Sequence, residues 1–506
     1  MFQKMSSRKA SITIALTTFV SYGVGLFRDK ILAFYFGTST LSDIYNSAFI
    51  VPDIILNGVI LGALSGVFIP IFMSAMAKGE DEANQLGSVF IILMSGAVVL
   101  FSLLGIIFAP MLSGLLLPHG SAETTLQTLT NMMRIMLIYP LFVGLSNTFG
   151  SILQSYHHFF SYGLSAIFYN VGIIGGIVLL HDSLGIYSAG VGVIAGFLFH
   201  MLIRLYEMKY IPFHFTWTFD FKNPYLLQIL KTMPPRVLTL LSTYIVLLAT
   251  SIVGFSLTEG AIAGSTYARN FQSFAISIFG ISVATAVLPS LSGFFISGEV
   301  QEFKSAIERS IRDILYFTIP SCVGLAVISI PLITFILGGG TFNQNSIFLT
   351  STLLVVYTLS IPFESVMHVF SRVFYAKKKI GIPTIASIAF MLTSLSVLFL
   401  CKDVLGVWVL AWAWVIGTVM QSCILIIAYI FHTKGRTFTN KFYVEMMKVC
   451  FSSVVMYFGV QYFLTTNMPT VIHLIGGSLV GIIIYALCTL LLRSTMTLAI
   501  VQRMKF

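Results

Sequence analysis

The chain has 506 residues, of which 57% are hydrophobic and only 9% charged, with a formal net charge of +10. A soluble protein carries roughly 25% charged residues, so this chain cannot cover itself with a water-compatible surface, and lipid must be its main solvent. The basic residues are scattered over short stretches without a contiguous patch, which argues against nucleic acid as a partner. The five cysteines (Cys322, Cys401, Cys423, Cys450, Cys488) lie in or beside apolar segments with no CxxC spacing and read as small packing residues, not metal ligands.

The expected fold is all-α and polytopic, built from helices of about 20 residues. The basic start, MFQKMSSRKA, leads into an apolar run with no small-residue cleavage site, so it reads as a retained first span and not as a signal peptide. In chain order, apolar stretches cover residues 11–37, 43–76, 86–112, 126–153, 161–181, 184–206, 232–256, 261–294, 310–337, 347–375, 382–401, 404–431, 444–464 and 471–497, which makes fourteen. The second and eighth are long and carry Pro and Gly, so each is expected to be tilted, kinked or broken. With fourteen spans, Lys78, Arg204, Lys222, Lys304, Lys377, Lys378, Lys379 and Lys441 share one side with both termini, and the opposite loops hold almost no basic residue except Lys402. By the positive-inside bias, both ends are cytoplasmic.

The chain repeats itself. Gly62 to Glu80 reads GALSGVFIPIFMSAMAKGE and Ile281 to Glu299 reads ISVATAVLPSLSGFFISGE, with Pro70 and Pro289 aligned at an offset of 219. Tyr139-Pro140 and Ile361-Pro362 form a second pair, at an offset of 222. Six spans separate the copies, so both have the same orientation. This predicts an N-lobe over residues 1–210, a parallel C-lobe over 211–435, and an added helix pair over 436–506. Transporters of this plan bind substrate between lobes near the midplane and expose it alternately to the two sides.

Ionisable residues inside spans are costly and are candidates for function by default. Arg28 and Asp29 fall well inside span one. Asp43 opens span two, and Asp53 and Asn57 follow Pro52 within it. Arg269 and Asn270 fall in span eight. Glu364, His368 and Arg372 lie four residues apart on one face of span ten. These residues are either structural ion pairs, such as Arg28 with Asp43, or the lining of a polar cavity for an anionic head group, for which the planar fork of Arg suits a phosphate. Arg134 suits snorkelling. The GxxxG motifs Gly58/Gly62 and Gly192/Gly196 suit close helix packing. His157, His158 and His200 suit packing or the interface, and the Lys377–Lys379 run suits anchorage to anionic lipid. No P-loop is present, which argues against ATP hydrolysis. Short outer loops argue against a membrane enzyme.

The stretch from Gly25 to Phe72, GLFRDKILAFYFGTSTLSDIYNSAFIVPDIILNGVILGALSGVFIPIF, resembles the MurJ/MviN family of lipid II flippases within the multidrug/oligosaccharidyl-lipid/polysaccharide exporter superfamily. The family pattern is G-x-x-R-D, F-G-x-S-x-x-x-D, A-F-x-x-P and E-G-A-x-x-x-x-F-V-P. Leu288-Pro289-Ser290-Leu291-Ser292, Gly340-Thr341-Phe342 and Arg372-Val373-Phe374-Tyr375-Ala376 with Pro383 extend the resemblance over nearly the whole chain. It implies a multi-pass transporter of a bacterial cytoplasmic membrane that moves undecaprenyl-pyrophosphate-linked peptidoglycan precursor outward. Cavity cations would bind the diphosphate, and the last two helices would form a groove for the lipid tail. By position, Arg28, Asp29 and Asp43 match family cavity or gate residues.

The chain also departs from the family. The family's P-N-x-x-R-R reads Pro52-Asp53-Ile54-Ile55-Leu56-Asn57 here, without the two arginines, and its A-D-R reads Ala268-Arg269-Asn270. Spans seven, eleven and twelve hold no Asp or Glu, against the sodium coupling of some members. The expected function is a lipid II flippase working by alternating access. The alternatives are a flippase for another polyprenyl-linked oligosaccharide, or a cation-coupled drug antiporter of the same superfamily. The expected partners are the lipid-linked glycan and membrane lipid, with the chain acting as a monomer. No cofactor is expected, and ion or membrane-potential coupling would drive transport.

Overall fold

The computed structural model describes residues 7–58, 67–433 and 438–504, and all regular structure among them is helical. Ten helical stretches there are long and apolar enough to cross a membrane, or eleven if the bent pair Gln344–Thr358 and Ile361–Ala376, which turns by 45°, is one span. The protein is a polytopic α-helical membrane protein. Cα packing divides it into two compact units, Met1–Ile262 and Ala263–Phe506.

The first unit holds α1 (Ser7–Phe36), α2 (Thr40–Ala48), α3 (Ile50–Leu56), α4 (Ile69–Met76), α5 (Glu80–Leu116), α6 (Glu123–Met136), α7 (Tyr139–Ser155), α8 (Phe160–Leu184), α9 (Tyr187–Glu207), α10 (Pro224–Thr232) and α11 (Pro234–Phe255). It therefore takes in α10 and α11, which the sequence grouped with the segment after residue 210. The long second stretch is broken into α2, α3 and α4, with π-helical turns at residues 57–58 and 67–68. A π-turn slips the hydrogen-bond ladder by one residue and re-aims the chain. Phe68, Phe72 and Phe90 stack where α4 meets α5, at centroid distances of 5.3 and 4.6 Å, and are fully buried. Gly62 lies outside the described residues, so the Gly58/Gly62 motif has no structural counterpart to report.

Helices α8 and α9 form the tightest hairpin of this unit. A Cβ on Gly172 would lie 2.3 Å from the Gly196 Cα, and one on Gly176 would lie 2.5 Å from the Gly192 Cα. Two GxxxG motifs thus face each other, and small residues let the backbones touch. Gly185, at φ +54°, turns the chain from α8 into α9.

The second unit begins within α12 (Ala261–Ala275) and continues through α13 (Ser282–Ser297), α14 (Val300–Val327), α15 (Ser329–Ile336), α16 (Gln344–Thr358), α17 (Ile361–Ala376), α18 (Gly381–Leu405), α19 (Val409–Thr433), α20 (Asn440–Leu464), α21 (Thr470–Leu491) and α22 (Thr495–Met504). A π-helical segment, Ile276–Ile281, joins α12 to α13. It falls 219 residues after the π-turn that follows α3. The breaks before Tyr139-Pro140 and before Ile361-Pro362 recur in the same way, each Pro starting a new helix. Gly406 turns α18 into α19 at φ +54°, the value at Gly185. The repeat seen in sequence is therefore also a repeat of helix breaks and hairpins.

Helix α20 packs on α14 and pairs with α21. The buried Glu445 of α20 receives Lys448 Nζ at 2.8 Å, Ser494 Oγ at 2.8 Å and the Thr495 N–H at 3.1 Å, tying α22 to the pair.

Candidate substrate site

In the first unit, Arg28 sits in the last third of α1. Its Nε and Nη2 donate to Asp29 Oδ1 at 3.0 and 2.6 Å, and its Nη1 donates to Asn170 Oδ1 of α8 at 3.1 Å. The guanidinium carbon lies 5.9 Å from the centre of the Tyr169 ring. Neighbours in sequence do not normally share a helix face, but the long Arg28 side chain folds back to reach Asp29. Asp29 is buried and the Arg28 side chain is 20% exposed, so the charge is anchored from behind and open in front. Of its five N–H groups, Asp29 and Asn170 use three. Even with the Tyr169 phenol as a further partner, donor capacity is left for an incoming anion.

An aromatic run extends from this guanidinium. Tyr169 stacks on Phe197 of α9 at 4.3 Å, and Phe197 stacks on Tyr139 of α7 at 4.9 Å. The Tyr139 hydroxyl donates to Asp53 Oδ1. Arg28, Asp29 and Asp53 thus belong to one continuous polar–aromatic patch built from α1, α3, α7, α8 and α9. Asn57, expected as a cavity residue, bonds the backbone of its own helix. It is buried, and its amide donates 2.8 Å to the Asp53 carbonyl of its own helix, covering a carbonyl where the π-turn begins.

Asp43 stands elsewhere, at the turn end of the same unit. Its Oδ2 accepts the Gly260 N–H at 2.9 Å. In return, Glu259 Oε1 accepts both the N–H and the hydroxyl of Thr40 at 3.0 Å. Two chain turns, 37–40 and 256–260, are therefore cross-capped by each other's carboxylates. Gly260 is at φ +76°, and a Cβ there would lie 2.2 Å from the Thr38 carbonyl oxygen, so no larger residue fits the clamp. A cleft of about 230 Å³ opens beside it, lined by Thr40, Asp43, Ser121, Thr125, Thr258 and Glu259 among others. Asp43→Ala leaves the Gly260 N–H without its carboxylate. At about 1–3 kcal/mol for such a loss, amide hydrogen exchange across 256–262 is expected to quicken about 5- to 150-fold. Unchanged protection would show that the clamp does not close this end.

In the second unit, Ser265, Arg269 and Gln272 line one stripe of α12. Arg269 lies 4.3 Å from the Trp414 ring centre, a stacking cation–π contact. The Trp414 indole N–H donates to Glu364 Oε2 at 3.2 Å, and Gln272 Nε2 donates to the same oxygen at 3.0 Å and to Ser360 Oγ at 2.7 Å. Ser265 shares a hydrogen bond of 2.6 Å with the Tyr357 hydroxyl. Asn270, one position further round α12, is half-buried and projects away from this stripe. Glu364 thus belongs with Arg269. His368 and Arg372 follow it along α17, both half-buried, with Arg372 6.0 Å from the Tyr375 ring centre.

Several partners escaped the sequence reading. Asn170 is a lone polar side chain in an apolar stretch, a signal that was available, whereas Gln272 sits among the polar neighbours Arg269, Asn270 and Ser273. Trp414, Tyr169 and Tyr139 look in sequence like ordinary lipid-facing aromatics. Arg204, read as a loop cation, is a buried residue in the last turn of α9. It donates at 2.9 Å to the Ser146 carbonyl and to Asn147 Oδ1, and at 3.0 Å to Ser165 Oγ. Nearby, His200 Nδ1 meets Ser146 Oγ at 2.7 Å, the packing role expected of it. His158 lies 3.4 Å from the buried Glu207. Arg134 is exposed on α6.

Residues 32–484 match the family model described as lipid II flippase MurJ. The chain belongs to the MurJ family. It is 30% identical over 394 residues to the "Probable lipid II flippase MurJ" of Buchnera aphidicola subsp. Schizaphis graminum, covering 76% of each chain. It superposes on a solved structure of lipid II flippase MurJ in an inward closed conformation with a TM-score of 0.82 and 26% identity, covering 96% of this chain and 100% of that one. A multidrug resistance MATE family transporter of the MOP superfamily, in an inward-facing conformation, shares the fold at a TM-score of 0.67 and 15% identity over 84% of this chain and 98% of that one. Members of the MurJ family are transporters, not enzymes, and the resemblance carried by the Gly25–Phe72 motifs extends over most of the chain.

Proposed function

We propose that this chain is a lipid II flippase that carries undecaprenyl-pyrophosphate-linked peptidoglycan precursor from the inner to the outer leaflet by alternating access. The observation that carries the reading is Arg28, a partly open guanidinium fixed by Asp29 and Asn170 inside a span of a MurJ-family chain. In the first half, Arg28 takes the diphosphate, with Asp29 orienting it and the Tyr169–Phe197–Tyr139 run and Asp53 beside it. In the second half, Arg269 on Trp414 is the corresponding cation, supported by Glu364 and Gln272. The Asp43–Gly260 and Glu259–Thr40 contacts act as a gate.

Fourteen spans, with both termini cytoplasmic in a bacterial inner membrane, fit the loop charges. Residues 1–210 and 211–435 would be the two repeats, and 436–506 would hold the lipid tail. The chain would act as a monomer, without a bound cofactor, and an ion gradient or the membrane potential would drive it.

Depletion of the protein in its source cell tests the reading. Lipid II is expected to accumulate in the inner leaflet while synthesis continues. An unchanged distribution of lipid II with loss of a different surface polymer would transfer the assignment to another polyprenyl-linked glycan.

A further inference from the structure

Residues 211–223, between the turn that follows α9 and the start of α10, form no helix, yet the segment is fixed against α5. The His214 N–H donates to Asn84 Oδ1 at 3.0 Å, and the Thr216 N–H donates to Ser88 Oγ at 2.9 Å. Alternate residues of an extended chain lie about 6.6 Å apart and residues four apart on a helix about 6 Å, so the two repeats match. Phe213 closes the start of this strap. It is buried, its ring centre lies 6.5 Å from that of Phe72 on α4, and a Cβ on Gly87 would lie 2.5 Å from its ring. The strap is therefore part of the packing of the first unit and not a loose tether.

From Phe213 onward every second residue is aromatic, through Phe215, Trp217, Phe219 and Phe221, with polar residues such as Thr216, Thr218 and Lys222 between them. The last four rings are exposed, Trp217 by 80% and Phe219 by 64%. Phe215 and Trp217 meet edge to face at 5.2 Å, and Phe219 and Phe221 at 6.3 Å, so the rings pair with one another and leave much of their surface outside. Such a patch marks contact with a membrane or another protein.

Three features favour the membrane. First, the strap joins the ends of two spans, Tyr187–Tyr210 and Pro234–Phe255, so it starts and finishes near a bilayer boundary. Second, the 37 residues of α5 extend about 55 Å, beyond a hydrocarbon layer of about 30 Å and a whole bilayer of about 40–45 Å. Ser88 lies about 42 Å before Leu116 along this helix, so it reaches one head-group layer when Leu116 stands in the other. Glu80, Asp81 and Glu82, all exposed, continue past it toward water. Third, the exposed Lys209 and Lys222 flank the rings, with the Lys209 ammonium 5.3 Å from the centre of the Tyr206 ring. The Asp220 carboxylate between them accepts the Lys222 N–H at 3.2 Å. Aromatic rings bordered by ammonium groups suit the layer where acyl chains meet phosphates.

We propose that residues 211–222 are an interfacial anchor for the phospholipid bilayer. Phe215, Trp217, Phe219 and Phe221 enter the boundary between head groups and acyl chains, and Lys209 and Lys222 face the phosphates. Asn84 and Ser88 set the depth at which α5 holds the rings. The anchor uses none of the residues assigned to the transported diphosphate.

The test uses the full-length protein in phosphatidylcholine vesicles and reads Trp217 as the emission lost in Trp217→Phe, which leaves Trp408, Trp412 and Trp414 in place. Quenching of that component is compared for lipid brominated near the head-group end of its chains, lipid brominated near the chain ends, and aqueous acrylamide. The shallow bromolipid is expected to quench it most and acrylamide least. Asn84→Ala with Ser88→Ala removes both acceptors on α5 and should raise the quenching by acrylamide; an unchanged profile overturns the part given to α5. Strongest quenching by acrylamide places Trp217 in water and overturns the anchor. Strongest quenching by the deep bromolipid overturns its interfacial depth. Quenching by none of the three shows the rings covered by protein, which overturns the bilayer as their partner.

Discussion

Replacing Arg28 by alanine is expected to lower lipid II transport at least about a hundredfold while the protein still inserts and folds. The estimate follows from the charge-assisted hydrogen bond that the open face of the guanidinium can give the diphosphate, at about 3 kcal/mol, with roughly 1.4 kcal/mol for each tenfold. A second cost is structural. Asp29 is buried and accepts two of the guanidinium's bonds, so removing Arg28 strands its carboxylate. Breaking a buried pair costs about 3–5 kcal/mol. Arg28→Ala combined with Asp29→Asn separates the effects: stability should return, and transport should not. Arg28→Lys keeps the charge but loses the planar fork and the reach to Asn170, so it should recover only a small part of the rate. Growth of depleted cells carrying each variant, with membrane levels measured alongside, checks this. Full growth with Arg28→Ala at normal levels would remove Arg28 from the site.

Substitution of Gly176 by isoleucine is expected to prevent the first unit from assembling. A Cβ there would lie 2.5 Å from the Gly192 Cα and 2.7 Å from the Ser188 carbonyl oxygen, and backbone cannot step aside as a side chain can. Overpacking against side chains costs about 1–3 kcal/mol, and a clash with backbone across two facing GxxxG motifs exceeds that range, because α8 and α9 must separate along their length. Gly175 provides the internal control, since a Cβ at that position meets nothing within 4 Å. Gly175→Ile should express and melt like wild type, and Gly176→Ile should appear as aggregate or be degraded. The effect matters for function because α8 carries Asn170 and Tyr169 and α9 carries Phe197, so loosening the hairpin releases Arg28 from three of its supports.

The sequence made the fold legible wherever the physics is one-dimensional. Apolar runs gave the helices, while the breaks before Tyr139-Pro140 and Ile361-Pro362 fall inside stretches read as continuous, where the two prolines had marked only the repeat. The offset of 219 between Pro70 and Pro289 marked the repeat, and the long second and eighth stretches were expected to be tilted, kinked or broken; that the interruption in both is π-helical was not foreseen. The sequence did not anticipate that compact packing would keep α11 with the first unit, because that depends on contacts between distant helices.

The site was legible as a set of charges but not as a set of partners. Arg28 and Asp29 were identified by the cost of charge in lipid, yet their fixation by Asn170 needed knowledge of which faces of α1 and α8 meet. Asp43 was singled out as a charge at the opening of a span. Its bond to the backbone N–H of Gly260 has no sequence signature, since nothing in the chain pairs position 43 with a glycine 217 residues away. The bond from the Asn57 amide to the Asp53 carbonyl was not foreseen either, since an amide side chain beside a helix break can turn to the backbone. Arg204 was misplaced because a basic residue near a span end looks like a loop anchor, and only the packing of α7, α8 and α9 shows it to be enclosed.

The most direct test of the account is transfer of lipid II across vesicles holding the purified protein, with outer-leaflet precursor read by an impermeant enzyme that cleaves its sugar. Wild-type vesicles should expose inner-leaflet lipid II far faster than protein-free vesicles, and vesicles with Arg28→Ala should be no faster than empty ones. Equal rates with and without wild-type protein, under an imposed membrane potential and ion gradient, would contradict it.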